Sequence, residues 1–437
     1  MTTELYAAQH HRSLTDSEGF WGEQATRIPW YSPPTQIQST DVDGLTRWYA
    51  DGVMNTCYAA VDYHVETGRG EQPALIYESP VTGQVRIYTY LELRDEVARL
   101  AGVLRDLGVA KGETVVIYMP MVPEAVFAML ACARLGAVHS VVFGGFAPPE
   151  LAVRINDVRP CVVLSASCGI EFGNIIPYKP LLNAALAQSV YQPAHCIILQ
   201  RTQCRADLQP GRDHDWHTLL TCATPADCVP VRATDPLYVL YTSGTTGKPK
   251  GIVRDNGGHA VALAYSMAAV YDVKPGEVFW AASDLGWAVG HSYIVYGPLL
   301  HGCTTVLFEG KPVRTPDAGT FWRVIADHKV RVFFTAPTAF RAIRKEDPEA
   351  LLRQKHDLSS LRSLFVAGER CDPPTLGWLE EVLNVPVIDH WWQTESGWPM
   401  VANQLGFGLL PVKHGSSTKP VCGYDLQILD EDGRQLS

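Results

Sequence analysis

From Tyr241 to Gly251 the chain reads YTSGTTGKPKG, the stretch whose residue types could do the most chemistry. Gly244, Gly247 and Gly251 let backbone N–H groups approach an anion closely. Thr242, Ser243, Thr245 and Thr246 supply hydroxyls, and Lys248 and Lys250 supply charge. That combination binds phosphate. It is not a Walker loop, which needs four residues between its glycines and Ser or Thr after the Lys; here two intervene and Pro249 follows. A solvent-exposed Gly/Ser/Thr linker does not account for two lysines and a proline directly after the apolar run LYVLY. Ser243 has no His/Asp constellation identifiable around it, so hydrolase chemistry is not expected. Among fourteen histidines, His291 in GHSY reads as structural, hydrogen-bonded near a pocket. Asp255, Asn256 and His259 read as loop and helix-start residues. Eleven cysteines are dispersed from Cys57 to Cys422 with no CxxC, and Cys222 and Cys228 lack zinc spacing. They read as buried free thiols in a reducing compartment.

The elements that must position these groups follow an alternating pattern. VVIYMP (115–120), AVHSVVF (137–143), CVVLSAS (161–167) and HCIILQ (195–200) read as buried strands. PEAVFAMLACARLG (123–136) reads as a helix ending at Gly136, and PPELAVRIND (148–157) as a helix opened by Pro. After a Pro-, Asp- and Cys-rich stretch near 201–235 the style repeats in LYVLYTSG, EVFWAASD, TTVLFEG, RVFFTAP, LRSLFVAGE and VPVIDHWWQ, with helices such as TFWRVIADHK between several of them. Fully apolar strands alternating with helices mean parallel sheets covered on both faces, an α/β fold. The expected organisation is an arm at 1–60, a first α/β subdomain at 61–235, a second at 236–400 carrying the phosphate loop, and the start of a β-rich unit at 401–437. The arm reads as irregular with short helices, pinned by Trp21, Trp30 and Trp48. DLQILDEDGRQLS at the end reads as a hairpin.

Composition narrows the class. The 437 residues are 46% hydrophobic and 19% charged, ample for a core and far from disorder. A net charge of −10 argues against a nucleic-acid binder or a membrane-surface protein, both of which need a basic face. MTTELYAAQHHRS has no apolar stretch for a secretory signal, and no run approaches the ~20 apolar residues of a membrane span. A soluble cytoplasmic protein working on small molecules, with no protein partner identifiable, is the expectation.

TSGTTGKPKG resembles the phosphate loop of the adenylate-forming superfamily of acyl-CoA synthetases, luciferases and nonribosomal adenylation enzymes. SDLGWAVGHSYIVYGPL (283–299), FFTAPTAFRA (333–342) and HWWQTESG (390–397) resemble AMP-forming short-chain acyl-CoA synthetases, as do FWGEQA, WYADGVMN and NTCYAAVDYHV in the leading segment. KGIVRDNGGHAVAL (250–263) and VAGERCDPPTL (366–376) are most similar to propionate–CoA ligases. The resemblance covers essentially the whole chain. It implies the two-subdomain N-terminal portion of such enzymes, which make an acyl-adenylate from a carboxylate and ATP and then a thioester with coenzyme A. Attack on the α-phosphate pushes charge onto phosphoryl oxygens, so catalysis is positioning plus positive charge and oriented donors.

By the same resemblance Thr242, Ser243, Gly244, Thr245, Thr246, Gly247, Lys248 and Lys250 hold the β- and γ-phosphates. Thr394 touches the α-phosphate, and Glu395 binds Mg²⁺, which takes hard oxygen ligands. Gly368, Glu369 and Arg370 match the adenine-contacting tripeptide. Asp389, His390, Trp391, Trp392 and Gln393 match the second nucleotide strand. Trp287, Ala288, Val289, Ala367 and Trp392 map onto the acyl pocket, with the Trp392 indole closing its floor. Acetate-activating relatives usually carry Val at the positions of Ala288 and Ala367, so the two alanines open room for one more methylene. That is worth roughly 0.8 kcal/mol per buried CH₂ and about 1–3 kcal/mol in discrimination. Phe143, Gly144, Gly145 and Arg154 resemble segments lining the nucleotide end of coenzyme A. Asn174 stands where relatives usually carry a phosphate-binding Arg, and Lys179 is the nearby cation that could compensate, as a point charge and not a fork.

Family members continue past Ser437 through the rest of a β-barrel into a mobile domain bearing the adenylation Lys. The chain therefore reads as the substrate-binding portion of a propionate–CoA ligase, catalytically incomplete as given. The alternatives are an acetate- or butyrate-preferring synthetase and a non-catalytic nucleotide- or acyl-adenylate-binding remnant.

Overall fold

The computed structural model of the chain describes residues 2–242 and 249–436. Its main sheet strands, in chain order, begin with β1 (Pro73–Ser79), β2 (Gln84–Thr89), β3 (Thr114–Tyr118), β4 (Val138–Val141), β5 (Val162–Ala166), β6 (His195–Leu199) and β7 (Asp213–Asp215). They continue with β8 (Pro236–Thr242), β9 (Lys250–Asp255), β10 (Val278–Ala282), β11 (Thr304–Phe308), β12 (Val330–Thr335), β13 (Ser363–Val366) and β14 (Val387–Asp389). Two seven-stranded sheets result, in the orders β7-β6-β5-β3-β4-β8-β9 and β14-β13-β12-β10-β11-β1-β2. Each is parallel except for one antiparallel edge strand, β9 or β2. Val115–Tyr118, Val162–Ala166 and Thr304–Phe308 are buried at every position, as strands covered on both faces must be.

The sheets do not follow the boundary expected at residue 235. β1 and β2, from the first expected subdomain, complete the second sheet, and the β8–β9 hairpin, from the second, completes the first. Apolar runs announce strands but carry no label for their neighbours. PALIYES (73–79) and QVRIYT (84–89) are strands that the sequence reading does not single out.

The arm is more regular than expected, with helices at Thr2–Thr15 and Ser17–Ala25. The second opens on Asp16, whose side chain accepts from the Gly19 N–H. Trp21 is buried among Trp48, Tyr265 and Trp398, and Trp30 donates its indole N–H to the Ala25 carbonyl. The first helix clasps the far end of the chain: Tyr6 donates to the Pro420 carbonyl (2.9 Å), and Ser13 Oγ accepts from the Gly423 N–H (2.8 Å). Beyond 400 the pairings are short. Val401–Ala402 meets Lys419–Pro420, and Leu429 bridges Gln435 in the expected terminal hairpin; the described residues close no barrel. No described helix is long and apolar enough to cross a membrane.

Parallel sheets expose their strand C-termini as ligand-binding edges. Here those edges face one cavity of about 820 Å³, lined by residues after β3 (Met119–Met121), β4 (Phe143–Phe146), β10 (Ser283–Trp287), β11 (Glu309–Pro312) and β12 (Ala336–Ala339).

Candidate active site

The phosphate-loop sequence connects β8 to β9. Thr242 and Lys250 form the last register pair of that hairpin. Lys250 is exposed there. Ser243, Gly244, Thr245, Thr246, Gly247 and Lys248 lie outside the described residues.

Down the same hairpin, Arg254 carries the site's main positioning contact. Its Nη2 donates to the carbonyls of Thr394 (2.6 Å) and Glu395 (3.1 Å), and its Nη1 to that of Ser396 (3.2 Å). Ser292 secures the same turn from the other side, its buried hydroxyl donating to the Gly397 carbonyl at 2.6 Å. Gly397 has φ +74°, and a side chain there would strike the Arg254 guanidinium. These bonds tie WWQTES to the β8–β9 hairpin. Sequence reasoning did not find Arg254. The only signal was a charged residue inside a sheet strand directly beyond the loop.

The Thr394 and Glu395 backbone carbonyls are anchored, and neither side chain makes a hydrogen bond among the described residues. The Glu395 carboxylate is exposed and makes no hydrogen bond or ion pair among the described residues. A free hard oxygen donor of that kind fits Mg²⁺.

β14 delivers the next residues in different roles. The Asp389 carboxylate accepts from the Cys371 N–H, and burial pushes it up to about 6. His390 is buried with both ring nitrogens engaged, by Tyr271 Oη (3.1 Å) and the Val366 carbonyl (2.8 Å). It is a structural post between β13 and β14. Trp391 is exposed and bonded through its backbone to Val401, and Gln393 N–H donates to Ser396 Oγ. After β13, Gly368 turns with φ +98°, and Gly368, Glu369 and Arg370 are exposed. The Glu369 carboxylate accepts from the Thr338 N–H (2.8 Å) and pairs with Arg341 (3.0 Å), which fixes the tripeptide against the helix Pro337–Glu346 after β12.

The acyl-pocket residues divide. Ala288, Val289, Ala367 and Trp392 belong to one apolar cluster, with the two alanines buried. Ala367 and the start of the Trp392 segment sit side by side because Val366 pairs with Asp389 in the sheet register. The Trp392 ring packs edge-on against Tyr293 at 5.5 Å, and its buried indole N–H has no partner among the described residues. Trp287 instead is 47% exposed, packs on Phe143, and lines the large cavity. It joins Phe143, Gly144 and Gly145 there. Gly286 permits this approach, since a Cβ would meet the Phe143 Cα at 2.7 Å.

Two expected cations are otherwise engaged. Arg154 is buried between the rings of Phe146 and Tyr241 and bonded to Glu150 (2.8 Å). Lys179 does not compensate for Asn174: it is buried and ion-paired with Asp213 at 2.8 Å, while Asn174 is exposed on a small hairpin. An ammonium below the surface needs a carboxylate, and Asp213 supplies it.

His291 is buried, its Nδ1 on the Trp287 carbonyl (3.0 Å) and its ring stacked on His139, in keeping with a structural role. Burial pushes His64, His291, His301 and His390 down to about 4 from 6.5. Between those values the unfolded chain binds more protons, so their contribution is present above 6.5 and lost as pH falls toward 4. Asp284 and Asp389, pushed up to about 6, act oppositely, gaining stability as they protonate. Histidines outnumber the carboxyls, and each titrating group contributes at most about 1.4 kcal/mol per pH unit. Urea midpoints across this range should therefore fall on acidification; a flat or rising profile contradicts the buried-histidine account.

The comparisons with known proteins agree with this fold. Residues 62–437 match the AMP-binding enzyme family, and residues 6–60 match the acetyl-coenzyme A synthetase N-terminus. The chain is 52% identical over 433 residues to the mitochondrial acyl-CoA synthetase short-chain family member 3 of Homo sapiens, covering 99% of this chain and 63% of that protein. It is 47% identical over 425 residues to the propionate–CoA ligase of Escherichia coli, covering 97% and 67%. The solved acetoacetyl-CoA synthetase from Streptomyces lividans aligns with a TM-score of 0.89 at 27% identity, over 99% of this chain and 66% of that one. The chain thus spans between 63% and 67% of the length of these relatives.

Proposed function

We propose, from the premise that this chain belongs to the AMP-binding enzyme family, that its protein is a short-chain acyl-CoA synthetase whose preferred acid is propionate. ATP and coenzyme A are the other substrates. The propionate carboxylate attacks the α-phosphorus of ATP, diphosphate leaves, and the thiol of coenzyme A then displaces AMP from propionyl-adenylate.

The chain's own groups fit that sequence of steps. Lys250 and Thr242 flank the loop at the hairpin end, where β- and γ-phosphates meet positive charge and donors. Thr394, held through Arg254, contacts the α-phosphate. The Glu395 carboxylate would hold Mg²⁺, which supplies charge to the phosphates when bound. Gly368, Glu369 and Arg370, with Asp389 and the segment that follows it, would receive the nucleoside. Phe143, Gly144 and Gly145 line a cavity that would take the nucleotide end of coenzyme A.

The observation that carries the propionate assignment is the burial of Ala288 and Ala367 in one apolar cluster with Trp392. In the proposed pocket the small side chains at 288 and 367 would leave room for one methylene beyond acetate, and the Trp392 indole would limit longer chains. Calorimetric titration of this chain with non-hydrolysable acetyl-, propionyl- and butyryl-adenylate analogues tests it, since binding needs no turnover. The propionyl analogue should bind tightest. Ala367→Val should shift the propionyl-to-acetyl affinity ratio toward acetyl by about tenfold or more, the scale of one methylene in a closed pocket. An unchanged ratio would sink the pocket assignment, and acetyl tightest in the parent chain would sink the propionate preference.

A further inference from the structure

Three donor side chains outside that site converge: Cys57, Asp62 and Cys228 each place one ligand atom within 4.8 Å of the others. No spacing in the sequence suggests it, because the convergence depends on local and tertiary geometry together. Cys57 precedes a π-helical turn, Tyr58–Asp62, closed by a bond from the Tyr63 N–H to the Tyr58 carbonyl. In an α-helix of 3.6 residues per turn, positions five apart face different sides. The wider π-turn brings Cys57 and Asp62 onto one side, and such turns recur at functional sites.

Cys228 arrives from a distant loop that is held in place independently. The buried Asn55 amide donates to the carbonyls of Ala133 (2.9 Å), Arg134 (3.0 Å) and Val229 (2.9 Å), stapling all three segments. The Val229 N–H also donates to the Arg134 carbonyl at 2.8 Å. Arg134 is itself buried, with Nε on the Ala226 carbonyl (2.6 Å) and Nη1 on Asp62 (2.7 Å). Cys57 is fully buried and Cys228 half-buried, so the group has one side toward solvent.

We propose that Cys57, Asp62 and Cys228 bind a thiophilic divalent cation of the zinc class. Two sulfurs and one carboxylate are the donor set of a soft or borderline ion, whereas Mg²⁺ and Ca²⁺ take oxygen. The charge balances. Two S–H bonds break, two metal–sulfur bonds form, and two protons pass to buffer with no redox change, so the dication replaces two unit charges. The Asp62 carboxylate has lone pairs enough for both the cation and Arg134. Arg134 then orients the carboxylate as the outer partner that metal-binding carboxylates usually have. Three protein ligands leave the solvent side for water.

Cadmium is the probe. The full chain, reduced and stripped with chelator, is titrated with Cd²⁺ while thiolate-to-metal absorption is followed. One equivalent should bind with the absorption of two thiolates. Cys228→Ser should weaken it by about 100-fold, whereas Cys222→Ser, at the exposed neighbouring thiol, should leave it unchanged. Alkylation of Cys228, mapped by mass spectrometry with and without Zn²⁺, tests the same site in the unaltered chain, and Zn²⁺ should protect. A cadmium signal indifferent to Cys228→Ser, alkylation indifferent to Zn²⁺, or a Cys57–Cys228 disulfide forming in air despite Zn²⁺ would overturn the proposal.

Discussion

Glu309→Ala should destabilise the chain by about 3–5 kcal/mol, the cost of breaking a buried ion pair by removing one partner. Glu309 follows β11 in one sheet, and Arg201 follows β6 in the other. Arg201 meets it with both guanidinium arms, at 2.7 and 3.0 Å. Tyr77 Oη (2.5 Å) and Ser79 Oγ (2.8 Å) donate to the same carboxylate. Glu309 is 4% and Arg201 8% exposed, so truncation leaves a buried cation and two hydroxyls without an acceptor. Replacing both charges, as Arg201→Met with Glu309→Leu, should cost less than Glu309→Ala alone, because no uncompensated charge remains. Urea unfolding of the two single variants and the double variant forms the cycle. A loss under about 1 kcal/mol for Glu309→Ala would mean the pair does not lock the sheets together.

Arg254→Ala should weaken binding of every acyl-adenylate analogue by about 100-fold without changing the preference among them. The arginine is a positioning residue. It makes three charge-assisted bonds to the carbonyls of residues 394–396, each worth about 1.5–3 kcal/mol in a half-buried setting. Without them the turn that presents Thr394 and Glu395 keeps only Ser292 and its internal bonds. A 100-fold loss is about 2.7 kcal/mol, within reach of that contact set. Arg254→Lys should recover part of the loss, since an ammonium lacks the planar fork but can reach a carbonyl. The acyl pocket lies on other residues, so the propionyl-to-acetyl ratio should hold. A loss under threefold with the fold intact, or a changed ratio, would remove Arg254 from its assigned role.

Both contacts show where local reading stops. The strand leading into the phosphate loop, the helix stop at Gly136 and most core strands were legible, because apolar runs, prolines and glycines act on the backbone within a few residues. The 820 Å³ cavity was not legible as a shape. It exists because five strand ends from two sheets converge, and no run of residues records which sheet a strand will join. The swap of β1–β2 and β8–β9 across the expected boundary has the same origin.

Charged residues divide along the same line. The sequence by itself set the expectation of phosphate binding, the family resemblance and the small side chains at 288 and 367, since these depend on residue type and short spacing. Only the tertiary structure decided that Lys179 serves Asp213, that Arg154 is stacked between rings, that Arg254 holds the 394–396 turn, and that Cys57 and Cys228 lie beside Asp62. A buried charge or thiol takes its role from the partner that folding brings within a few ångströms, and that partner lies many residues away along the chain.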